Sequence, residues 1–103
     1  MLDIKNADYM PNNIILDSNY PNPFNPVTNI YYEIIKESFI SIKIKDIRGR
    51  HIITLTDRYH SMGKHIIQWD GNNSTGDQQT SGIYFYIIEN ENYSITGKMT
   101  LLK

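Results

Sequence analysis

The stretch Ile40-Ser41-Ile42-Lys43-Ile44-Lys45 decides how the rest of the chain is read. Three isoleucines alternate with one serine and two lysines, a period of two that gives an extended segment one apolar and one wet face. A helix would scatter these residues around its axis. The same bias runs through the whole chain, which carries 18 Ile against 5 Leu and 1 Ala. β-Branched side chains have a stiff first torsion and fit a pleated sheet better than a helix.

Working outward, Val27 to Ile35 sets Ile30, Tyr32 and Ile34 on one face, and Lys36-Glu37-Ser38 joins it to the decisive strand, so the two segments read as a hairpin. After Asp46 to Arg50, a turn in which Gly49 can supply a positive φ, Ile52 to Thr56 is a further short strand. A turn at Ser61 to Lys64 precedes a strand in which His65, Ile67 and Trp69 alternate with Ile66 and Gln68. Asp70 to Ser81 is rich in Gly, Asn, Ser and Thr and reads as loop. Gly82 opens Ile83 to Glu89, apolar on both faces and therefore a central strand, and Tyr93 to Leu102 returns after a turn at Asn90 to Asn92. With a first strand at Ile14 to Asp17, the chain has about seven strands and no stretch of helical periodicity. The expected fold is all-β, an immunoglobulin-like antiparallel β-sandwich.

At 103 residues there is room for one domain. Residues 1–12 form a polar approach that reads as a linker or cloning remnant, and residues 13–103 form the sandwich, cut from a longer protein. Ten Lys and Arg balance eleven Asp and Glu, which gives no reason to expect nucleic acid. The longest apolar run, Ile83 to Ile88, is far short of the roughly 18–20 residues of a spanning helix, so no membrane span is expected. There is no cysteine, hence no disulfide or thiolate chemistry, and the first residues show no basic segment followed by an apolar run.

Candidate chemistry is thin. His51, His60 and His65 lack the spacing that would aim two imidazoles at one metal; His65 is expected to line the sheet or bond at an edge, and His51 and His60 to be solvated turn residues. Asp70, Asn72 and Ser74 begin a calcium-loop register, but Thr75 replaces its glycine and Ser81 its bidentate glutamate, leaving a surface turn in which the Asp70 and Asn72 side chains bond nearby amides. No serine sits in a nucleophile elbow, and Glu33, Glu37, Glu89 and Glu91 lie beside turns. No enzyme activity, metal or cofactor is expected. Tyr32, Trp69, Tyr84 and Tyr86 are assigned to the core, whereas Tyr31, Phe85 and Ile87 have the opposite parity and are the candidates for an exposed, glycan-binding patch. The N-glycosylation triplets at Asn72, Asn73 and Asn92 are short patterns that arise readily in an Asn-rich chain.

The remaining punctuation forms an ordered set: Asn19-Tyr20-Pro21-Asn22-Pro23-Phe24-Asn25-Pro26, Asp46-Ile47-Arg48-Gly49-Arg50, Trp69-Asp70-Gly71, Ser81-Gly82-Ile83-Tyr84-Phe85-Tyr86 and Lys98-Met99-Thr100-Leu101-Leu102-Lys103. This series resembles the C-terminal sorting domain (type A) of type IX secretion cargo proteins, which overlaps the immunoglobulin-like family named after the flagellar hook-capping protein. The likeness spans about residues 14–103 and ends flush with the chain. It departs from the pattern at Lys45-Asp46-Ile47, where the family often has an aromatic before its Asp, and at Ile87, where a basic residue is common.

The resemblance implies a non-catalytic signal that directs a larger cargo, fused N-terminally, from the periplasm through an outer-membrane translocon to the cell surface or medium. It also implies a sortase-like surface peptidase that cuts within about residues 1–13. The expected partner-recognition residues are Lys98, Met99, Leu101, Leu102 and Lys103 with Asp46, Gly49 and Arg50. Pro21, Asn22, Pro23, Phe24, Pro26, Trp69, Asp70, Gly71, Gly82 and Tyr84 are expected to be structural. Phe24 reads as a plug, Arg50 as a partner for Asp46, and Met99 and Leu101 as inward-facing. The alternative is a structural or adhesive accessory domain, of hook-capping type or a carbohydrate-binding spacer.

Overall fold

The computed structural model describes residues 13–103. The linker expected at residues 1–12 lies outside them. Seven strands follow in order: β1 Ile14–Tyr20, β2 Thr28–Ile34, β3 Ser38–Asp46, β4 His51–His60, β5 Gly63–Trp69, β6 Gly82–Glu89 and β7 Ser94–Leu101. All pairings are antiparallel, in a three-stranded sheet β1-β2-β5 and a four-stranded sheet β4-β3-β6-β7.

Alternation builds the core from both sheets. Ile30, Tyr32 and Ile34 face inward from β2, Ile40, Ile42 and Ile44 from β3, Tyr84, Tyr86 and Ile88 from β6, and Met99 and Leu101 from β7; all are buried. Burial of each large apolar side chain contributes about 1.5–3 kcal/mol before the entropy of ordering is set against it.

Three strand assignments differ from the sequence reading, the simplest being β1, which runs on to Tyr20 instead of stopping at Asp17. β2 and β3 are not a hairpin: β2 pairs with β1 and β5, β3 with β4 and β6, and the short link between them arches from one sheet to the other. β4 is also longer than Ile52 to Thr56. Register shifts opposite Ile42/Lys43 and Ile44/Lys45 break its alternation, which hides its continuation to His60.

Candidate functional site

Strand directions decide which connections share an end. β1, β3, β5 and β7 run one way and β2, β4 and β6 the other. Residues 21–27, 47–50, 70–81 and 102–103 therefore gather at one end, the tail end. Residues 35–37, 61–62 and 90–93 lie at the far end. Every motif of the ordered series reaches the tail end.

At its centre, the proline-rich segment holds the last strand. Phe24 N donates to the Thr100 carbonyl (3.0 Å) and Leu102 N to the Phe24 carbonyl (2.9 Å), a parallel bridge. The Asn22 side chain extends it, its Oδ1 accepting from Thr100 N (2.9 Å) and its Nδ2 donating to the Lys98 carbonyl (3.5 Å). These contacts occupy the outward-facing backbone of β7 over its last turn of pairing, so a partner strand cannot add there. Phe24 is buried, with its ring centroid 5.6 Å from that of Trp69, which in turn lies 5.2 Å from Tyr84.

The neighbouring loop locks onto the same cluster. Trp69 Nε1 donates to the Asn72 carbonyl (2.9 Å), Gln79 N to the Gly71 carbonyl (2.9 Å), and the Tyr84 hydroxyl to the Thr80 carbonyl (2.7 Å). Gly71 has φ +82°, and a Cβ there would lie 3.3 Å from the Pro26 carbonyl oxygen. Gly82 pairs with Leu101, and Lys103 N donates to Ser81 Oγ (3.0 Å). Asp70 Oδ1 accepts from Asn72 N, as a surface turn requires, but the second capping side chain is Asn73, not Asn72: its Oδ1 accepts from Thr75 N (3.1 Å) and Asp77 N (2.8 Å).

Asp46 organises the β3–β4 turn. Its Oδ1 accepts from Arg48 N and Arg50 N (both 2.9 Å), and its Oδ2 from Arg50 Nε (2.8 Å). The Arg50 amide foremost, with the Arg50 guanidinium and the Arg48 amide, holds the Asp46 carboxyl below its usual range against the opposing effect of partial burial. Gly49 supplies φ +83° and has open space around its α-carbon. A shallow cleft between this turn and residues 79–84 is lined by Asp46, Arg48, Gln79, Ser81 and Tyr84.

The tail residues divide into two roles. Met99 and Leu101 are buried and fix the strand, whereas Lys98, Leu102 and Lys103 are exposed, Leu102 by 52%. Gly97, which the sequence reading passed over, sits opposite Tyr86, and a Cβ there would overlap the Tyr86 ring.

Two expectations fail away from this end. His60 is not a solvated turn residue: it is buried at the end of β4, where it accepts from or donates to the Tyr32 hydroxyl across the sheets at 2.8 Å. Its Nδ1 faces the Arg58 carbonyl at 3.1 Å, and its ring centroid lies 4.9 Å from that of His65, which stacks on Tyr32. Burial, foremost, lowers the His60 pKa and raises that of Tyr32. The only sequence signal for this group was the turn separating His60 from His65. Tyr31, Phe85 and Ile87 do not form one patch, because Tyr31 lies on the outer face of the three-stranded sheet and the other two on that of the four-stranded sheet. Among the described residues no three His, Asp or Glu converge as metal ligands.

The fold is shared with two solved structures. One is dimeric latent PorU from Porphyromonas gingivalis (TM-score 0.68, 17% identity), with 86% of this chain and 9% of that one covered. The other is PorZ, described as an essential bacterial surface component of the type-IX secretion system of Porphyromonas gingivalis (TM-score 0.60, 19% identity), with 85% and 11% covered. The chain thus spans only a small part of either protein. No curated protein matches it. The model of the family described as secretion system C-terminal sorting domain matches residues 18–101, and this chain, whose motifs gather at one end of the sandwich, belongs to that family.

Proposed function

We propose that the domain is a non-catalytic address for type IX secretion, and that its tail end is the surface read by the machinery. The cargo lies N-terminal to it and passes through the periplasm to the cell surface or medium. An outer-membrane translocon engages the exposed Lys98, Leu102 and Lys103 together with the Asp46–Arg50 turn. A sortase-like surface peptidase cuts ahead of Ile14, within about residues 1–13. The observation that carries this reading is the bridge from Asn22 and Phe24 to Thr100 and Leu102, which fixes the last residues as a shape and leaves their charged end outside. A folded tail loses less entropy on capture than a loose one. A purely structural spacer would have no use for such a presented end, and the family match weighs against that alternative.

The test is export of a periplasmic reporter fused ahead of residues 1–103 in a host with the secretion system. Deleting Lys98 to Lys103 should strand the reporter in the periplasm, but that deletion also removes two core residues. Deleting Leu102 and Lys103 alone spares Met99 and Leu101 and should have the same effect with the thermal transition of the sandwich retained. Undiminished export of this shorter truncation would contradict the reading.

A further inference from the structure

The outer face of the four-stranded sheet carries one row in which four strands contribute side by side: His51 of β4, Lys45 of β3, Phe85 of β6 and Lys98 of β7 are successive cross-strand partners. Direct neighbours on one face have Cβ atoms about 5 Å apart, so Phe85 lies between two lysines whose strands are roughly 10 Å from each other. Phe85 is half-buried and Lys98 exposed. Lysine stems can lie along a neighbouring ring while their ammonium heads stay in water. Lys43, in the adjacent row, is neutralised by Glu89 at 3.3 Å, and Asp46 is tied to Arg50, whereas no acidic side chain among the described residues pairs with Lys45 or Lys98. Two unneutralised ammonium groups thus flank an apolar ring face on a chain whose net charge is −1.

We propose that this face binds an acidic glycan, one sugar stacking its C–H face on Phe85 while carboxylates of the glycan accept hydrogen bonds from the ammonium groups of Lys45 and Lys98. The charge complementarity names an anion, since charge-assisted bonds of this type are the stronger ones. The position favours a glycan over an acidic peptide. Peptides that join a sandwich pair with a free strand edge, and the nearest edge, at Lys98 to Leu102, is filled by Asn22 and Phe24. The middle of a sheet face offers no backbone partners, only a ring and charges, and an aromatic face gives a sugar a large contact area with few torsions to freeze. The site shares Lys98 with the address surface, but glycan binding by the isolated chain and export of a reporter are separate readouts, so either role can fail without the other.

The experiment is affinity electrophoresis of the 103-residue chain in gels containing polygalacturonate, neutral dextran or polyglutamate. Retardation by polygalacturonate alone is expected. Lys45→Gln, Lys98→Gln and Phe85→Leu should each weaken it about fivefold or more, while Lys36→Gln and Lys64→Gln, which remove the same charge from other surfaces, should change it by less than about twofold. Thermal unfolding checks that each variant is folded, and the Lys→Gln pairs test the site even if Phe85→Leu is not. No retardation, equal retardation by dextran, equal retardation by polyglutamate, or equal weakening by all four lysine variants would each overturn the proposal.

Discussion

At the tail end, residues 21–27 and 70–82 interlock around β7 and the two residues after it, the Asp46–Arg50 turn lies alongside, and irregular backbone is satisfied one group at a time by Asn22, Asp46, Asn73 and Ser81. At the far end, short turns close on local bonds such as Asn90 N to the Tyr93 carbonyl, and the sheets are joined across the interior by the Tyr32–His60 pair. Both ends close the same sandwich with residues distant in the chain, but the far end relies on one side-chain pair 28 residues apart, whereas the tail end ties loop backbone to the last strand across as many as 78 residues. That difference explains why the family's punctuation falls where it does. Many compatible sequences can close a hairpin turn, whereas few can close a knot of loops around a terminal strand.

The tail end depends most heavily on Phe24. Phe24→Ala empties the space beside Trp69 and removes the plug from the tail, and should cost about 3–5 kcal/mol in urea denaturation. A loss of less than about 1 kcal/mol would mean that the tail end is not held as described.

At the far end, Tyr32→Phe leaves His60 Nε2 without its partner and should cost about 1–3 kcal/mol while leaving export intact. The Arg58 carbonyl can only accept, so Nδ1 carries the proton and the neutral ring takes the Tyr32 hydroxyl on Nε2. Because the folded state disfavours the charged form of His60, the unfolded chain binds more protons as acidity rises. Stability from this group is complete above about pH 6.5 and is lost as pH falls below it. Urea midpoints between pH 7.5 and pH 5 measure the effect, and a flat profile would contradict the buried placement.

Two glycines sharpen the contrast within the tail end itself. Gly49→Ala meets only the strain of its positive φ, about 1 kcal/mol, while Gly71→Ala adds the close approach to Pro26 and should cost about 1–2 kcal/mol. Thermal melts that reverse this order would remove Gly71 from the interlock. The smallest effect is expected for Asp46→Asn, which keeps an acceptor and loses the charge. The depressed carboxyl of Asp46 contributes stability above its ordinary value of 3.8, and this contribution disappears as pH falls. The variant and the parent should therefore differ slightly at pH 7, with their urea midpoints drawing together as pH falls below 3.8.

Much of this could be read from residue order. The alternation of Ile40, Ile42 and Ile44 fixed the strand parity, and the parity of Met99 and Leu101, the plug at Phe24 and the Asp46–Arg50 pair follow from local spacing. What could not be read was placement across the sheets. Lys36-Glu37-Ser38 is short enough for a hairpin and also for an arch, since both β2 and β3 present one apolar face to the core. The same ambiguity joined Tyr31 to Phe85, whose faces point away from each other. His60 was missed because bulged pairing beside Thr54 and Thr56 disrupts the period-two signal before the strand ends. The contact between Asn22 and Thr100, 78 residues apart, has no local signature at all.

The most direct measurement is native-state amide exchange along β7. Its even-numbered residues turn their amides away from β6, so Thr96 N faces solvent while Thr100 N and Leu102 N are covered by Asn22 and Phe24. Strong protection of Thr100 and Leu102 beside rapid exchange at Thr96, with the protection lost in Phe24→Ala, is the result predicted for a tail held as a fixed shape. Equal, rapid exchange at all three positions in the parent chain would contradict it.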